Sequence, residues 1–193
     1  MSLILLLISY ITVQPSPSRQ DEFIGRVVVE WLTEDGADRA MRLVEDFAYR
    51  DPKGKVWEVP AGAEVNGASV PASLYTIVGA PFVGDYRRAS VVHDYYCEQR
   101  TEGWEAVHRM FYDASRTGGI SRLKAGIMYA AVRGWGPRWE EVPTRGGVPS
   151  IVSIPRPTPD SSEFLDLESW ITGADPTLDE IDRRVSELLG EDQ

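Results

Sequence analysis

The sequence predicts an α+β fold, in which a small antiparallel sheet packs on a core of three to four helices. Before residue 60, apolar residues alternate with polar ones, as in half-buried strands. After Pro71 they recur every three or four positions, as in amphipathic helices. Short turns containing glycine separate the later segments, so helices adjacent in sequence are expected to be adjacent in space.

Three segments before residue 60 predict an antiparallel meander. The first, "GRVVVEWLT", carries Val27, Val29 and Trp31 in alternation with other residues. The second, "MRLVEDFAYRD", leads through the tight turn "DPKG" into the third, "KVWEVP". Strands joined by such short turns pair with each other in antiparallel order.

Helical spacing predicts four helices between residues 70 and 136. The first, "PASLYTIVGA", begins after Ser69, a candidate N-cap, because proline is tolerated in the first turn of a helix. The other three are "DYRRASVVHDYYCEQR", "GWEAVHRMFYDASRTGG" and "SRLKAGIMYAAVRGWG", each followed or closed by a turn with glycine.

The chain divides into four predicted parts. Residues 1–20 form an apolar N-terminal segment and linker, and residues 21–139 form the core domain. Residues 140–162 are a Pro-rich, irregular connector, and residues 163–193 are an acidic helical tail.

The tail ends in a predicted amphipathic helix over 177–189, with Asp175 as its N-cap. Its apolar stripe consists of Leu178, Ile181, Val185 and Leu188. We expect this stripe to dock on the protein's own domain or on a partner protein.

The net charge of −10 comes mostly from the tail, because the chain from Arg156 onward holds 11 acidic and three basic residues. An acidic chain is repelled by phosphate backbones, so nucleic acid is not an expected partner. The single cysteine, Cys97, excludes an intrachain disulfide and a zinc site with several cysteines.

Residues 2–13, "SLILLLISYITV", are apolar but shorter than the roughly 20 residues that span a bilayer. Their length suits the apolar region of a signal peptide, yet no Lys or Arg precedes them and no cleavage motif follows. A cytoplasmic location is therefore expected, with export through residues 2–13 as the alternative.

The pair His93–Asp94 is the main candidate for chemistry, because it lies among apolar residues of a predicted buried helix. A buried carboxylate is costly unless it is paired or binds a metal. The two residues are about 100° apart around a helix. They either converge on one ion beside the helix or divide the work, with His93 as a base on water and Asp94 holding a cation.

The only other histidine, His108, lies on the next predicted helix, and antiparallel packing would bring it opposite His93. Two histidines and a carboxylate are the ligand types of an open catalytic zinc site. The alternative is a polar core layer, in which each histidine bonds a tyrosine or carbonyl and Asp94 pairs with an arginine such as Arg133. Cys97, four residues after His93, faces the same side and is a soft ligand, a thiol nucleophile or, more commonly, a core residue.

The loop "NGASVP" contributes Asn66 and Ser69. Gly67 allows the backbone to approach a ligand closely, and Asn66 tolerates the left-handed conformation. A turn followed by a helix cap explains the same residues without a ligand. Ser69 is a weak nucleophile candidate, since no G-x-S-x-G elbow surrounds it.

Four motifs in order, "VPAGAEVNGASVP", "RRASVVHDYYC", "WEAVHRMFYDASRTGG" and "AGIMYAAVRGWG", resemble the bacterial and phage family called domain of unknown function 1353. The resemblance covers about residues 23–139. Asn66 and His108 depart from the family pattern, which has an aspartate at each position. Members are frequent in phages and prophages, so the resemblance implies a mobile-element origin and adds a virion-associated location to the expectations.

The resemblance implies that the family's polar positions gather into one cluster: Asn66, Ser69, His93, Asp94 and His108. Asn66, Asp94 and His108 would hold a divalent metal, zinc or calcium, and His93, Asp94 and Ser69 are the catalytic candidates. The order His-Asp-Tyr-Tyr-Cys is also similar to the phospholipase A2 helix, whose aspartate helps bind calcium, although the calcium loop and disulfides are missing here. The predicted function is a small metal-dependent hydrolase in which His93 activates water; the alternative is a non-catalytic interaction or virion-associated protein whose polar cluster is structural.

Overall fold

A computed structural model of the protein describes residues 21–33, 40–67, 84–156, 158 and 160–191. The predicted α+β class is confirmed, because short antiparallel strands precede a group of packed helices. The first three described helices are α1 (Arg87–Gln99), α2 (Trp104–Thr117) and α3 (Arg122–Trp135), and they match three of the four predicted helices. The helix predicted after Ser69 lies outside the described residues.

Six short strands form two antiparallel sheets of three strands each. The strands are, in chain order, β1 (Glu22–Ile24), β2 (Val29–Trp31), β3 (Met41–Leu43), β4 (Phe47–Arg50), β5 (Val56–Val59) and β6 (Glu64–Val65). The first sheet has the order β1-β4-β5 and the second has the order β2-β3-β6. The predicted antiparallel pairings are present, β2 with β3 and β4 with β5, but they are divided between two sheets and not joined in one.

The difference arises at Val44–Asp46, where the segment predicted as one strand breaks into β3 and β4. The N–H of Val44 donates to the carbonyl of Val28 at 2.8 Å. The carboxylate of Asp46 accepts from the N–H of Ala61 at 2.8 Å, so it holds the bend against the next loop. The bend sends β4 into a different sheet from β3, which a two-residue period alone does not predict.

The core lies between these sheets and the helices. Its sheet-side members include Leu43, Tyr49 and Trp57, and its helical members include Val91 and Phe111, all 3% exposed or less. Packing of α1 against α2 and of α2 against α3 makes the three helices sequential neighbours, as their short connections predict.

The predicted Pro-rich connector contains an antiparallel hairpin of β7 (Trp139–Val142) and β8 (Ser150–Ser153), so it is not irregular. The pairing runs from Trp139 opposite Ser153 to Val142 opposite Ser150. Trp139 is 5% exposed and its indole N–H donates to the carbonyl of Glu102 at 3.0 Å. This bond attaches the hairpin to the turn between α1 and α2.

The acidic tail forms α4 (Ser161–Ala174) and α5 (Leu178–Leu189), and both pack on α3 of the same chain. Ile181 and Val185, from the predicted stripe, are buried there. A Cβ placed on Gly126 would lie 3.5 Å from Ile181, and one on Gly134 would lie 3.4 Å from Val185. These glycines let α5 approach α3 closely. Contact of this helix with a second protein stays a prediction.

The N-cap of α5 is Thr177, and the prediction of Asp175 was wrong. The Thr177 hydroxyl accepts from the N–H of Glu180, and the Glu180 carboxylate accepts from the N–H of Thr177, which makes a capping box. Asp175 instead follows the end of α4 in the left-handed conformation.

No helix within the described ranges is long and apolar enough to cross a bilayer. Residues 2–13, the candidate export signal, lie outside those ranges.

Candidate metal centre

The α1–α2 hairpin brings His93, Cys97 and His108 together. Cys97 follows His93 by one helical turn, so the two side chains share a face of α1. The Nε2 atom of His93 lies 3.7 Å from the Cys97 sulfur and 2.8 Å from Nδ1 of His108, across the helix pair. The predicted proximity of the two histidines is therefore present in the structure.

All three side chains are buried: His93 is 1% exposed, His108 is 0% exposed and Cys97 is 5% exposed. The His93 ring packs on Phe111 with ring centres 4.6 Å apart, and the His108 ring meets the edge of Trp104. Burial lowers the pKa of His93 to about 3. Burial also lowers the pKa of His108, helped by His93 and by the charges of Arg138 and Arg133. Both imidazoles are therefore neutral at pH 7, the form that binds metals.

The second ring nitrogen of His108 fixes its tautomer. Nε2 lies 3.1 Å from the carbonyl oxygen of Pro137. Since a carbonyl only accepts, Nε2 carries the proton and Nδ1 presents a lone pair toward His93. A histidine that binds a metal commonly donates its other N–H to a backbone carbonyl in this way.

These three residues form a group that has the dimensions of a metal site. Each of the three residues offers one ligand atom, and these three atoms all lie within 4.8 Å of one another. Tetrahedral zinc separates two nitrogens by about 3.3 Å and a nitrogen from a sulfur by about 3.6 Å, given its bond lengths. The nitrogen to sulfur distance of 3.7 Å has the right length, but the sulfur also lies 3.9 Å from Nδ1 of His93, so it is beside the ring and not in line with the Nε2 lone pair. Binding of one ion therefore requires rotation of the His93 ring and separation of the two imidazoles by about 0.5 Å.

Asp94 faces a different neighbour and is not a member of this group. Its Oδ2 atom accepts from the backbone N–H of Asn66 at 2.7 Å and of Gly67 at 3.0 Å. The structure thus brings Asp94 together with Asn66 and brings His93 together with His108. The angle of about 100° between adjacent helix positions explains this division. Ser69 lies outside the described residues.

A cavity of about 460 Å³ adjoins the group at Cys97. Asp94 and Asn66 also line it, whereas the two histidines are not among its described lining residues. Arg133, a candidate partner for Asp94 on sequence grounds, pairs with Asp182 at 3.2 Å and with Glu191 at 3.5 Å. Asp94 therefore holds the loop at residues 66–67 beside an open space.

Sequence reasoning favoured a core role for Cys97, although its spacing of four residues from His93 on one helix was the available signal. It missed the arginines that line the cavity: Arg100, Arg138 and Arg156. They come from three separate segments, so no local pattern joins them.

The fold and this site define an α+β protein with a buried group of two histidines and one cysteine beside a polar cavity. Residues 41–132, just under half of the chain, match the family described as "Protein of unknown function (DUF1353)". The resemblance of the sequence motifs to that family is confirmed over these residues.

Two curated relatives are proteins of Sinorhizobium fredii. The "Uncharacterized protein y4jT" is 45% identical over 97 residues, which are 50% of this chain and 29% of the relative. The "Uncharacterized protein y4iH" is 37% identical over 109 residues, which are 56% of this chain and 46% of the relative. The chain thus spans less than half of the length of either relative. No solved structure is significantly similar to it.

Proposed function

We propose that this protein is a small zinc-dependent hydrolase, in which His93, Cys97 and His108 hold the ion and the reaction takes place in the adjoining cavity. The observation that carries the proposal is the convergence of three neutral or ionisable ligand atoms within 4.8 Å of one another. A zinc ion with three protein ligands keeps a position for water or substrate, lowers the pKa of that water and polarises the bond to be cleaved.

The choice of zinc rests on the ligand types. Two imidazoles and a thiolate suit zinc, whereas calcium takes six to eight oxygen ligands. The buried group offers no carboxylate among its three members. Of the two metals that the sequence allowed, zinc and calcium, the proposal therefore takes zinc.

His93 acts as a ligand in this proposal, and not as the base that activates water. Its side chain is 1% exposed, and its Nε2 atom is turned toward His108, with the Cys97 sulfur 3.7 Å away. Asp94 is the buried one of the three carboxylates that line the cavity. Two backbone N–H groups fix its position, and a carboxylate has about four lone-pair sites, so it is suited to accept a proton from water.

Asn66 shares the cavity wall with Asp94. In the proposal its side-chain amide contacts the substrate, while its backbone N–H positions the Asp94 carboxylate. This assigns Asn66 to substrate binding, where the family resemblance had implied metal ligation.

The test is hydrolysis of p-nitrophenyl acetate and bis(p-nitrophenyl) phosphate by the full chain. The expected result is turnover of one of these probes that a chelator removes and added zinc restores. Asp94→Asn should retain the metal and lose turnover by at least about tenfold, as removal of a general base does. The matched control is Asp166→Asn, an exposed position on α4, which should keep full turnover. Turnover that is unchanged by the chelator and by Asp94→Asn would contradict the proposal.

A second candidate is a non-catalytic interaction protein, virion-associated as the family resemblance implies. Its support is the separation of 2.8 Å between His93 and His108, which is the length of a hydrogen bond that two neutral imidazoles make without an ion. In that case Cys97→Ser changes neither the metal content nor any activity, and the group contributes only to the stability of the α1–α2 hairpin.

A further inference from the structure

Three arginines line the cavity beside Cys97. Arg100 directly follows α1, Arg138 directly precedes β7, and Arg156 follows β8. The cavity brings them together only because the β7–β8 hairpin folds back toward the end of α1.

Arg138 is 8% exposed, and its terminal nitrogens are occupied. Nη1 contacts the carboxylate of Glu191, and Nη2 donates to the carbonyl oxygens of Arg133 and Gly134. Its Nε atom is buried out of reach of solvent, and the guanidinium carbon lies 4.7 Å from the centre of the Trp104 ring. Glu191 balances the charge of Arg138, so this residue borders the cavity without a nitrogen open to a ligand.

Arg156 lines the cavity and donates to the carbonyl of Trp135. It lacks a carboxylate partner in the described ranges. An anion in the cavity would supply such a partner.

Arg100 adopts the left-handed conformation, with φ of 55°. Its backbone N–H donates to the carbonyl of Tyr96 at 2.9 Å, which ends α1. Glycine or asparagine is the usual residue in that conformation, and an arginine there has a cost. The free-energy cost of the left-handed conformation is explained if the Arg100 side chain binds a ligand in the cavity.

Three acidic residues also line the cavity, and two of them have partners elsewhere. Glu64 pairs with Arg42 at 2.8 Å, and Asp94 accepts from two backbone N–H groups. Glu98 and Arg156 are both exposed to solvent. The guanidinium groups of Arg100 and Arg156 are therefore the cationic groups that the wall offers to an incoming anion.

We propose that this cavity binds an oxyanion, a phosphate or a carboxylate, between Arg100 and Arg156, and that the substrate of the site carries this group. Planar guanidinium groups match the geometry of both oxyanions. The role of the anion as part of a substrate rests on the proposed hydrolase function. The anion site itself depends only on the arginines.

The experiment is calorimetric titration of the full chain with inorganic phosphate, in the presence of a chelator so that no metal contributes. We expect saturable binding that weakens as salt is added, since salt screens charge pairs. Arg156→Gln and Arg100→Gln should each weaken binding at least tenfold. Arg184→Gln, an equal charge change on the exposed face of α5, should leave the affinity unchanged.

The absence of saturable phosphate binding would overturn the inference, and so would equal weakening in Arg184→Gln. Because the chelator removes any metal, phosphate binding under this condition supports an anion site that stands without the metal. If wild-type protein binds phosphate but no zinc, the proposed function fails while this inference holds.

Discussion

Nε2 of His93 lies 2.8 Å from Nδ1 of His108, and both side chains are buried in the core. The proton of His108 is held on its other nitrogen by the carbonyl of Pro137. Without an ion, the His93 N–H donates to His108. With the proposed ion, both nitrogens would present lone pairs and the His93 proton would be on Nδ1. The same pair would thus serve as a hydrogen bond or as two metal ligands.

The first prediction concerns pH. Burial lowers the folded-state pKa of His93 to about 3, from about 6.5 in an unfolded chain. Between these values the unfolded state binds more protons, so the free energy of unfolding decreases as the pH falls from about 6.5 toward 3. His93 should contribute about 1.4 kcal/mol per pH unit in this window. Urea unfolding at several pH values, with a chelator present, measures the slope.

His93→Gln should reduce that slope by about the contribution of one histidine. Cys97→Ser is the control, because it keeps both histidines and should keep the slope. An identical slope in the wild type and in His93→Gln would show that His93 is not held neutral by the fold.

The second prediction concerns Asp94 and stability. Asp94→Ala removes the acceptor of two N–H groups and leaves them in a mostly buried place, so it should cost about 3 kcal/mol. Asp94→Asn keeps an acceptor oxygen and should cost less than half of that. The exposed Asp166→Ala should change stability by less than about 0.5 kcal/mol. Equal, small effects of all three changes in urea unfolding would contradict the assigned role.

Much of the fold was predictable from sequence because the helices carry their own signals. The three helices from Arg87 to Trp135 have apolar spacing and glycine-containing turns, which are local properties. The break between β3 and β4 was not predictable, because it depends on the bond between Asp46 and Ala61, 15 residues apart. Thr177 was identifiable from the Thr-x-x-Glu pattern, but the adjacent Asp175–Pro176 offered a competing helix start.

The candidate site was predictable in part for the same physical reason. The proximity of His93 and His108 follows from a short connection between two helices. The separation of Asp94 from His93 also follows from helix geometry. Which neighbour each of these two side chains contacts depends on how β6 and α2 pack against α1. The contributions of Arg138 and Arg156 depend on how the β7–β8 hairpin folds back, which is a long-range property.

The third prediction concerns the tail. Ile181 is 1% exposed and packs on α3 at Gly126, so Ile181→Ala should destabilise the protein by about 2–4 kcal/mol. Leu165 on α4 is 51% exposed, and Leu165→Ala should cost less than about 0.5 kcal/mol. Urea unfolding of both variants is the measurement. A negligible effect of Ile181→Ala would mean that α5 does not dock on its own chain in solution.

The central claim is that His93, Cys97 and His108 bind one metal ion. The most direct measurement is titration of the metal-free full chain with Co²⁺, which reports the ligands of a zinc site through its absorption spectrum. We expect saturation at one ion per chain, with a near-ultraviolet band from thiolate ligation that Cys97→Ser abolishes and Asp94→Asn retains. The absence of saturable binding, or an unchanged spectrum in Cys97→Ser, would contradict it.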